Sequence, residues 1–243
     1  MAINIKEISF DINHLSIDTS SIQKFIDLAN KDFEDSANQF NNELNNHQIY
    51  DSQSLLNAPR AIHALFSIYA LGIVHCYTLL ENNRKEIISK QLQKKVNDKN
   101  KRDVEYLIGK LSDSKSIGII LNKVFEITHT SIVSYSLADE FRQVNNAIKH
   151  KRFSYSQNIN VDKYGIYDIA RLKKLYEKHN ALREYLVGLN SKCESSLKSE
   201  SIATDDSLKD VIEAIKSDSR KQVKKNQSNN TRQKVSAKNK RLR

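Results

Sequence analysis

Apolar residues recur at helical spacing along most of the chain. Between Ile22 and Leu44 they fall three or four residues apart, after a run of N-cap candidates at Asp18–Ser21. A longer apolar stretch, roughly Ala61–Leu80, lies in a helix that we expect to run from Arg60 to about Val96. Pro59 suits the first turn of that helix. The pattern therefore predicts an amphipathic helix followed by a long central one.

The remaining pattern is also mostly helical. Alternation of apolar and polar residues at Ile3–Ile12, and again at Phe153–Val161, indicates two short extended segments that could pair as a minor two-stranded ribbon. We expect an all-α fold, a bundle of about five to six helices with room for this ribbon. The other predicted helices are Asp103–Leu111, Ser116–Phe125, Thr130–His150, Tyr167–Leu189 and a marginal one at Ser207–Ile215.

The composition excludes several function classes. The chain has one Pro and five Gly, which favours long helices and leaves no Walker A loop or dinucleotide-binding glycine motif. Cys76 and Cys193 lie far apart without metal-ligand spacing, so we expect no metal, no disulfide and no cofactor. The Ala61–Leu80 run contains several polar residues, and we interpret it as a buried core helix. Met1–Lys6 carries no secretion signal, so the prediction is a cytoplasmic protein without a membrane anchor.

Positive charge is concentrated at the C-terminus. Ten of the 39 Lys and Arg residues lie within Arg220–Arg243, which contains no Asp or Glu, and the other 29 are matched by 29 acids. This polar tail is expected to be disordered in isolation and to bind nucleic-acid phosphates through counterion release. A role in solubility only, or removal in the cell, is the alternative. The bases of the tail are Arg220, Lys221, Lys224, Lys225, Arg232, Lys234, Lys238, Lys240, Arg241 and Arg243.

A second basic stretch, Arg84–Arg102, lies inside the helical body. We interpret it first as a solvated helix end with its loop, and only second as a nucleic-acid surface.

The predicted helix that ends at His150 carries the clearest clue to function. Lys149, His150, Lys151 and Arg152 cluster at its C-terminus, where cations complement the helix dipole, so a capping role explains them without any activity. The stretch Asn145-Asn-Ala-Ile-Lys-His150 also resembles the HEPN (higher eukaryotes and prokaryotes nucleotide-binding) superfamily. In that superfamily a helix ends in an Arg, a polar residue, a few further residues and a His. The run Ser67–Glu81 looks like the family's early helix, and the resemblance spans roughly Ala58–Leu189.

The resemblance implies a metal-independent ribonuclease chemistry. In active members, Arg and His from two protomers face one another, and the ribose 2′-hydroxyl attacks the adjacent phosphate. The candidate catalytic residues here are therefore His150, Asn145 and Arg142, and Lys149, Lys151 and Arg152 are candidate phosphate contacts. Asn145 stands at the Arg position, however. Arg142 lies eight residues before His150, about 80° round the helix and about 12 Å along it, and is not an equivalent replacement.

The sequence predicts one domain organisation and leaves three hypotheses for function. We expect a helical HEPN-like domain at residues 1–194, a polar linker with a marginal short helix at 195–219 and the basic tail at 220–243. The first hypothesis is an RNA- or partner-binding protein with lost or weakened catalysis, in a toxin–antitoxin or phage-defence setting. The second is an active ribonuclease that uses His150, and the third is a non-enzymatic helical scaffold tethered to nucleic acid by its tail. RNA is the favoured partner over DNA, with a homodimer or an antitoxin as further candidates.

Overall fold

The computed structural model describes residues 17–46, 54–95, 100–151, 169–198 and 208–218. Within those ranges every regular element is a helix, so the prediction of an all-α fold is confirmed. Both predicted extended segments, Ile3–Ile12 and Phe153–Val161, lie outside the described residues, as does the tail from residue 219 onward.

Eight helices account for most of the described chain, and their order follows the predicted pattern. α1 begins where the predicted caps stand, but α2 begins five residues before Pro59, so Pro59 does not lie in its first turn as predicted. Short 3₁₀ turns occupy His129–Ser131 and His179–Ala181. The helices are α1 (Ser20–Asn45), α2 (Ser54–Lys95), α3 (Lys101–Gly109), α4 (Ser114–Phe125), α5 (Tyr135–Lys151), α6 (Ile169–Tyr176), α7 (Leu182–Lys198) and α8 (208–218).

The chain divides into two compact units. The first unit comprises Met1–Glu86 and Ile132–Leu189, and the second comprises Ile87–Ser131 and Asn190–Arg243. Each unit has its own apolar core, and burial of one such side chain contributes about 1.5–3 kcal/mol relative to exposure. The largest fully buried residues of the first unit are Ile26, Ile73, Leu80, Phe141 and Tyr185, and those of the second are Ile87, Ile88, Leu92, Leu107, Leu111 and Phe125.

A glycine sets the close approach of two helices in the first unit. A Cβ atom on Gly72 of α2 would lie only 2.9 Å from Cε2 of Tyr176, the last residue of α6. The Tyr176 ring also packs edge-on against Tyr69, with 5.9 Å between the ring centroids. α6 can therefore lie against α2 at this point because residue 72 has no side chain.

The prediction of one continuous helix over Tyr167–Leu189 is wrong, because the structure has two helices there, α6 and α7. His179 Nδ1 hydrogen-bonds to the carbonyl oxygen of Tyr176 at 2.9 Å, and the two rings stack with their centroids 5.0 Å apart. This side chain satisfies a carbonyl that helix continuation would otherwise use. The chain then forms a 3₁₀ turn at His179–Ala181, and the next helix, α7, begins at Leu182.

The predicted helix Thr130–His150 also begins later than expected, at Tyr135. Ser134 has a φ of 56°, in the left-handed region that a helix cannot include. Its hydroxyl group donates to Glu184 Oε2 at 2.8 Å, which ties the start of α5 to α7 inside the first unit.

The short helix predicted at Ser207–Ile215, within the predicted polar linker at 195–219, is present as α8 (208–218). α7 runs on to Lys198 and so extends into the predicted linker. Leu208, Val211 and Ile215 recur at positions i, i+3 and i+7, and each is at most 1% exposed. α8 is therefore part of the apolar core of the second unit.

α2 is long and apolar enough to cross a membrane by length and composition, with a mean hydropathy of 1.5 over its most apolar window between Arg60 and Lys94. A core helix in a soluble protein meets the same criterion. Ile73, Cys76 and Leu80 from that window are buried in the first unit, which agrees with the interpretation of a core helix.

Candidate functional site

Asn145, the residue that the resemblance to HEPN proteins aligns with their arginine, faces the interior of the first unit. It is 2% exposed and lies one turn after Phe141, which is fully buried. Its Nδ2 donates to Asn146 Oδ1 at 3.4 Å, and its Oδ1 has no hydrogen-bond partner in the part of the chain that the structure describes. A side chain held there cannot contact a phosphate at the protein surface.

Arg142 is half-buried and is held by its own helix. Its Nε donates to Asp139 Oδ1 at 2.7 Å, and Gln143 Nε2 donates to the other oxygen of the same carboxylate at 2.6 Å. Asp139 thus compensates the Arg142 charge locally. These two described side chains, Arg142 and Asn145, share no hydrogen bond, so the structure does not assemble them into one constellation.

The other predicted site residues are only partly described. Lys149 is exposed near the C-terminal end of α5. His150 and Lys151 belong to the same helix, but their side chains lie outside the described part of the structure. Arg152 and all ten basic residues from Arg220 to Arg243 also lie outside it. Of the predicted phosphate contacts, Lys149 is therefore the one with a described, accessible side chain.

The first unit contains a buried cation that sequence reasoning placed wrongly. Arg84 of α2 is 4% exposed, although we interpreted it as the start of a solvated basic stretch. Its guanidinium lies within hydrogen-bonding reach of the hydroxyl groups of Tyr185 on α7 and Tyr77 on α2. Arg142 also acts electrostatically on Tyr77, so the half-buried face of α5 borders this cluster.

The electrostatics of the cluster follow from its burial. Burial raises the pKa of Tyr185 to about 12, while the Arg84 cation acts in the opposite direction. Burial likewise raises the pKa of Tyr77, again against the effect of Arg84. Burial also disfavours the charge of Arg84, but its interactions with Tyr185 and Tyr77 outweigh that effect, so the pKa of Arg84 is raised. Arg84 is therefore a permanent cation, and both phenols stay neutral at physiological pH.

The cluster is incompletely satisfied. The Nε of Arg84 has no hydrogen-bond partner among the described residues, and an unmade hydrogen bond on a buried donor costs roughly 1–3 kcal/mol. A phosphate could reach Arg84 only if the helices moved apart, because 96% of the residue is covered. The cluster consequently organises the helix core and is not an open site. A signal for it existed in the sequence: Tyr77, Leu80 and Arg84 fall at i, i+3 and i+7 on the buried face of α2.

Neither cysteine forms a disulfide, and both are buried. Burial raises the pKa of the Cys76 thiol to about 12, so Cys76 stays protonated and is a poor nucleophile at neutral pH.

Comparison of the chain with protein-family models, with curated proteins and with solved structures gives no significant match.

Proposed function

We propose that this chain is a HEPN-like helical protein that binds RNA without cutting it. The burial of Asn145 carries this proposal. Metal-free cleavage of RNA needs a cation beside the phosphate that develops charge. At the motif position this chain has a neutral amide, 2% exposed, and Arg142, three residues earlier, is bonded to Asp139. His150 would then lack the cationic partner that the resemblance requires.

The distribution of charge supports RNA binding. The second unit contains 23 Lys and Arg against 12 Asp and Glu, whereas the first contains 16 against 17. The excess positive charge of the protein therefore belongs to the second unit, and most of it comes from the tail. A dense run of cations without acids gains affinity for phosphates mainly by releasing counterions, which requires no fixed geometry.

Gel analysis and fluorescence anisotropy with a mixture of tRNA and ribosomal RNA test both halves of the proposal. We expect the full chain to bind RNA and to leave it intact. A chain that ends at Ser219 removes the ten tail bases but keeps α8, whose apolar residues belong to the core of the second unit. Each phosphate contact contributes roughly −0.7 to −0.9 to the slope of log affinity against log salt, so truncation should make this slope shallower by several units.

Two further variants sharpen the test. A full-length chain with the ten tail bases replaced by Gln separates the effect of charge from that of chain length, and it should behave like the truncated chain. If the full chain cleaves RNA and His150→Ala does not, the proposal that this protein binds RNA without cutting it is overturned. Unchanged RNA affinity in the chain that ends at Ser219 would overturn the assignment of binding to the tail.

A further inference from the structure

Tyr106, on α3 in the second unit, has two ammonium groups against its ring. Lys110 Nζ lies 5.3 Å from the ring centroid, and Lys216 Nζ, from α8, lies 6.0 Å from it. Tyr106 is half-buried, so part of the residue is open to solvent. The ring and the two cations therefore form a small aromatic and cationic surface built from two helices.

The sequence spacing extends this surface along α3. Arg102, Tyr106 and Lys110 recur every four residues, so they follow one stripe of the helix, and Arg102 is exposed. Among the described residues no carboxylate pairs with Lys110. Lys216 forms an ion pair with Glu213 of α8, with 3.1 Å between Nζ and Oε1. Lys110 and Arg102 are thus the cations on this surface that remain available to an anionic ligand.

α8 fixes where the basic tail starts. Leu208, Val211 and Ile215 bury this helix in the second unit, and Lys115 of α4 lies 3.8 Å from Asp218 at its end. Arg220, the first base of the tail, follows Asp218 by two residues. The first base of the tail is therefore four residues from Lys216 along the chain, so a ligand that the tail binds is at high effective concentration near Tyr106.

Unpaired bases are the ligand chemistry that fits this arrangement. An exposed aromatic ring stacks on any base, whereas the stacked bases of a duplex do not present their faces. Cation–π contacts are weak outside a desolvated interior, so the Lys110 ammonium group can move from the ring to a neighbouring phosphate when a base arrives.

We propose that Tyr106 is a stacking platform for a base of single-stranded nucleic acid, with Lys110 and Arg102 on the adjacent phosphates. This inference rests on the proposed RNA binding and adds to it a preference for unpaired strands and a defined contact on the folded body.

The test compares full-length variants with a single-stranded oligouridylate and with an RNA duplex of the same length. Tyr106→Leu keeps an apolar side chain but cannot stack, and we expect it to lower affinity for the single strand roughly tenfold while duplex affinity changes less than about twofold. Tyr106→Phe should bind like the unmodified chain. Lys110→Ala should weaken binding more than Lys123→Ala, in which the lysine removed is exposed on α4 of the same unit. Thermal melting checks that each variant is folded.

The outcomes separate this inference from the proposed function. If the unmodified chain binds no RNA, the proposed function fails and the platform fails with it. If the unmodified chain binds RNA but Tyr106→Leu binds the single strand equally well, the platform alone is overturned. Photo-crosslinking with a 4-thiouridine oligonucleotide gives a second readout: the inference expects the crosslink on the α3 peptide that contains Tyr106, and crosslinks confined to the tail contradict it.

Discussion

Arg142 and Asp139 form an ion pair within one turn of α5, with 2.7 Å between Nε of the first and Oδ1 of the second. A phosphate that recruited Arg142 would have to compete with this carboxylate, which also accepts a hydrogen bond from Gln143. Both charged side chains are half-buried, so solvent screens their attraction less than it would at a fully exposed site. The pair therefore predicts that Arg142 takes no part in the proposed RNA binding, although it lies only three residues from Asn145.

Arg142→Ala should therefore change RNA affinity less than about twofold. Loss of a partly exposed pair within one helix costs roughly 0.3–1 kcal/mol, so the variant should stay folded. Anisotropy with the same RNA used for the full chain measures the first effect, and urea denaturation measures the second. Asp139→Ala is the informative control, because it releases Arg142 and should raise affinity if any phosphate lies within reach. A fivefold loss of affinity in Arg142→Ala would assign that residue to the RNA interface.

Gly72 and Gly118 should respond in opposite directions to the same substitution. A Cβ at residue 72 would meet the Tyr176 ring at 2.9–3.0 Å, so Gly72→Ala should destabilise the protein by about 1–3 kcal/mol. Gly118 lies inside α4 with nothing within 4 Å of its Cβ position, so Gly118→Ala should stabilise the protein by up to about 1 kcal/mol. Urea denaturation of the two variants is the measurement. Equal effects at both positions would mean that Tyr176 can move away at little cost.

The helical pattern was readable from the sequence because burial follows the periodicity of apolar residues. α1 and α4 lie close to the predicted positions, and the Ala61–Leu80 run forms the buried middle of α2. The break between α6 and α7 was not readable. It contains no Gly or Pro, and it depends on a side chain, His179, whose bond to the Tyr176 carbonyl exists only in the folded chain.

The candidate site was less predictable than the fold. Motif resemblance selected Asn145 and Arg142 by their positions in the chain, but it could not indicate that one is buried in the core and the other is bonded to Asp139. Arg84 was assigned to solvent because a cation is rarely buried. Arg84 can be buried because Tyr185 of α7, about a hundred residues later in the chain, lies within hydrogen-bonding reach of its guanidinium. The spacing of Tyr77, Leu80 and Arg84 along α2 indicates a shared buried face, but nothing local to that helix indicates the contact with Tyr185.

Asp113 is the N-cap of α4, and its carboxylate should stabilise that helix. It accepts hydrogen bonds from the backbone N–H of Ser116 at 2.9 Å and from the Ser116 hydroxyl at 2.6 Å. Burial opposes ionisation, but these bonds, with one from the Lys115 backbone, outweigh it and lower the pKa of Asp113. Asp113→Ala should cost about 1 kcal/mol at neutral pH, and Asp113→Ser less, because serine also caps.

The sign of the pH dependence at Asp113 follows from its lowered pKa. A carboxyl group that ionises more easily in the folded chain stabilises that state above its unfolded pKa of about 3.9, and this contribution is lost as the pH falls through the folded value. The difference in stability between the unmodified chain and Asp113→Ala, measured by urea denaturation, should therefore shrink below about pH 4. A difference that stays constant down to pH 2 would show that the charge of Asp113 is irrelevant to the cap.

Tyr185 should make the protein sensitive to alkali. Its pKa is about 12 in the folded chain, against about 10 for an unfolded tyrosine. The folded state therefore holds its proton more tightly. The stabilisation from this group is complete below pH 10 and is lost as the pH rises toward 12, because only the unfolded chain ionises in that interval.

Tyr185→Phe should reduce the loss of stability at alkaline pH. At neutral pH the same substitution should lower the free energy of unfolding by roughly 1 kcal/mol, because Arg84 loses one of its two phenol partners. Stability from urea denaturation, measured at several pH values between 8 and 11, should fall less steeply in the variant than in the unmodified chain. Tyr77→Phe should act in the same direction, because burial also raises the pKa of Tyr77. Tyr106→Phe, at the half-buried ring of α3, is the matched control and should keep the steeper fall. Identical slopes in Tyr185→Phe and the control would mean that the Arg84 cluster opens before its tyrosines ionise, and that the buried cation does not hold α2 and α7 together.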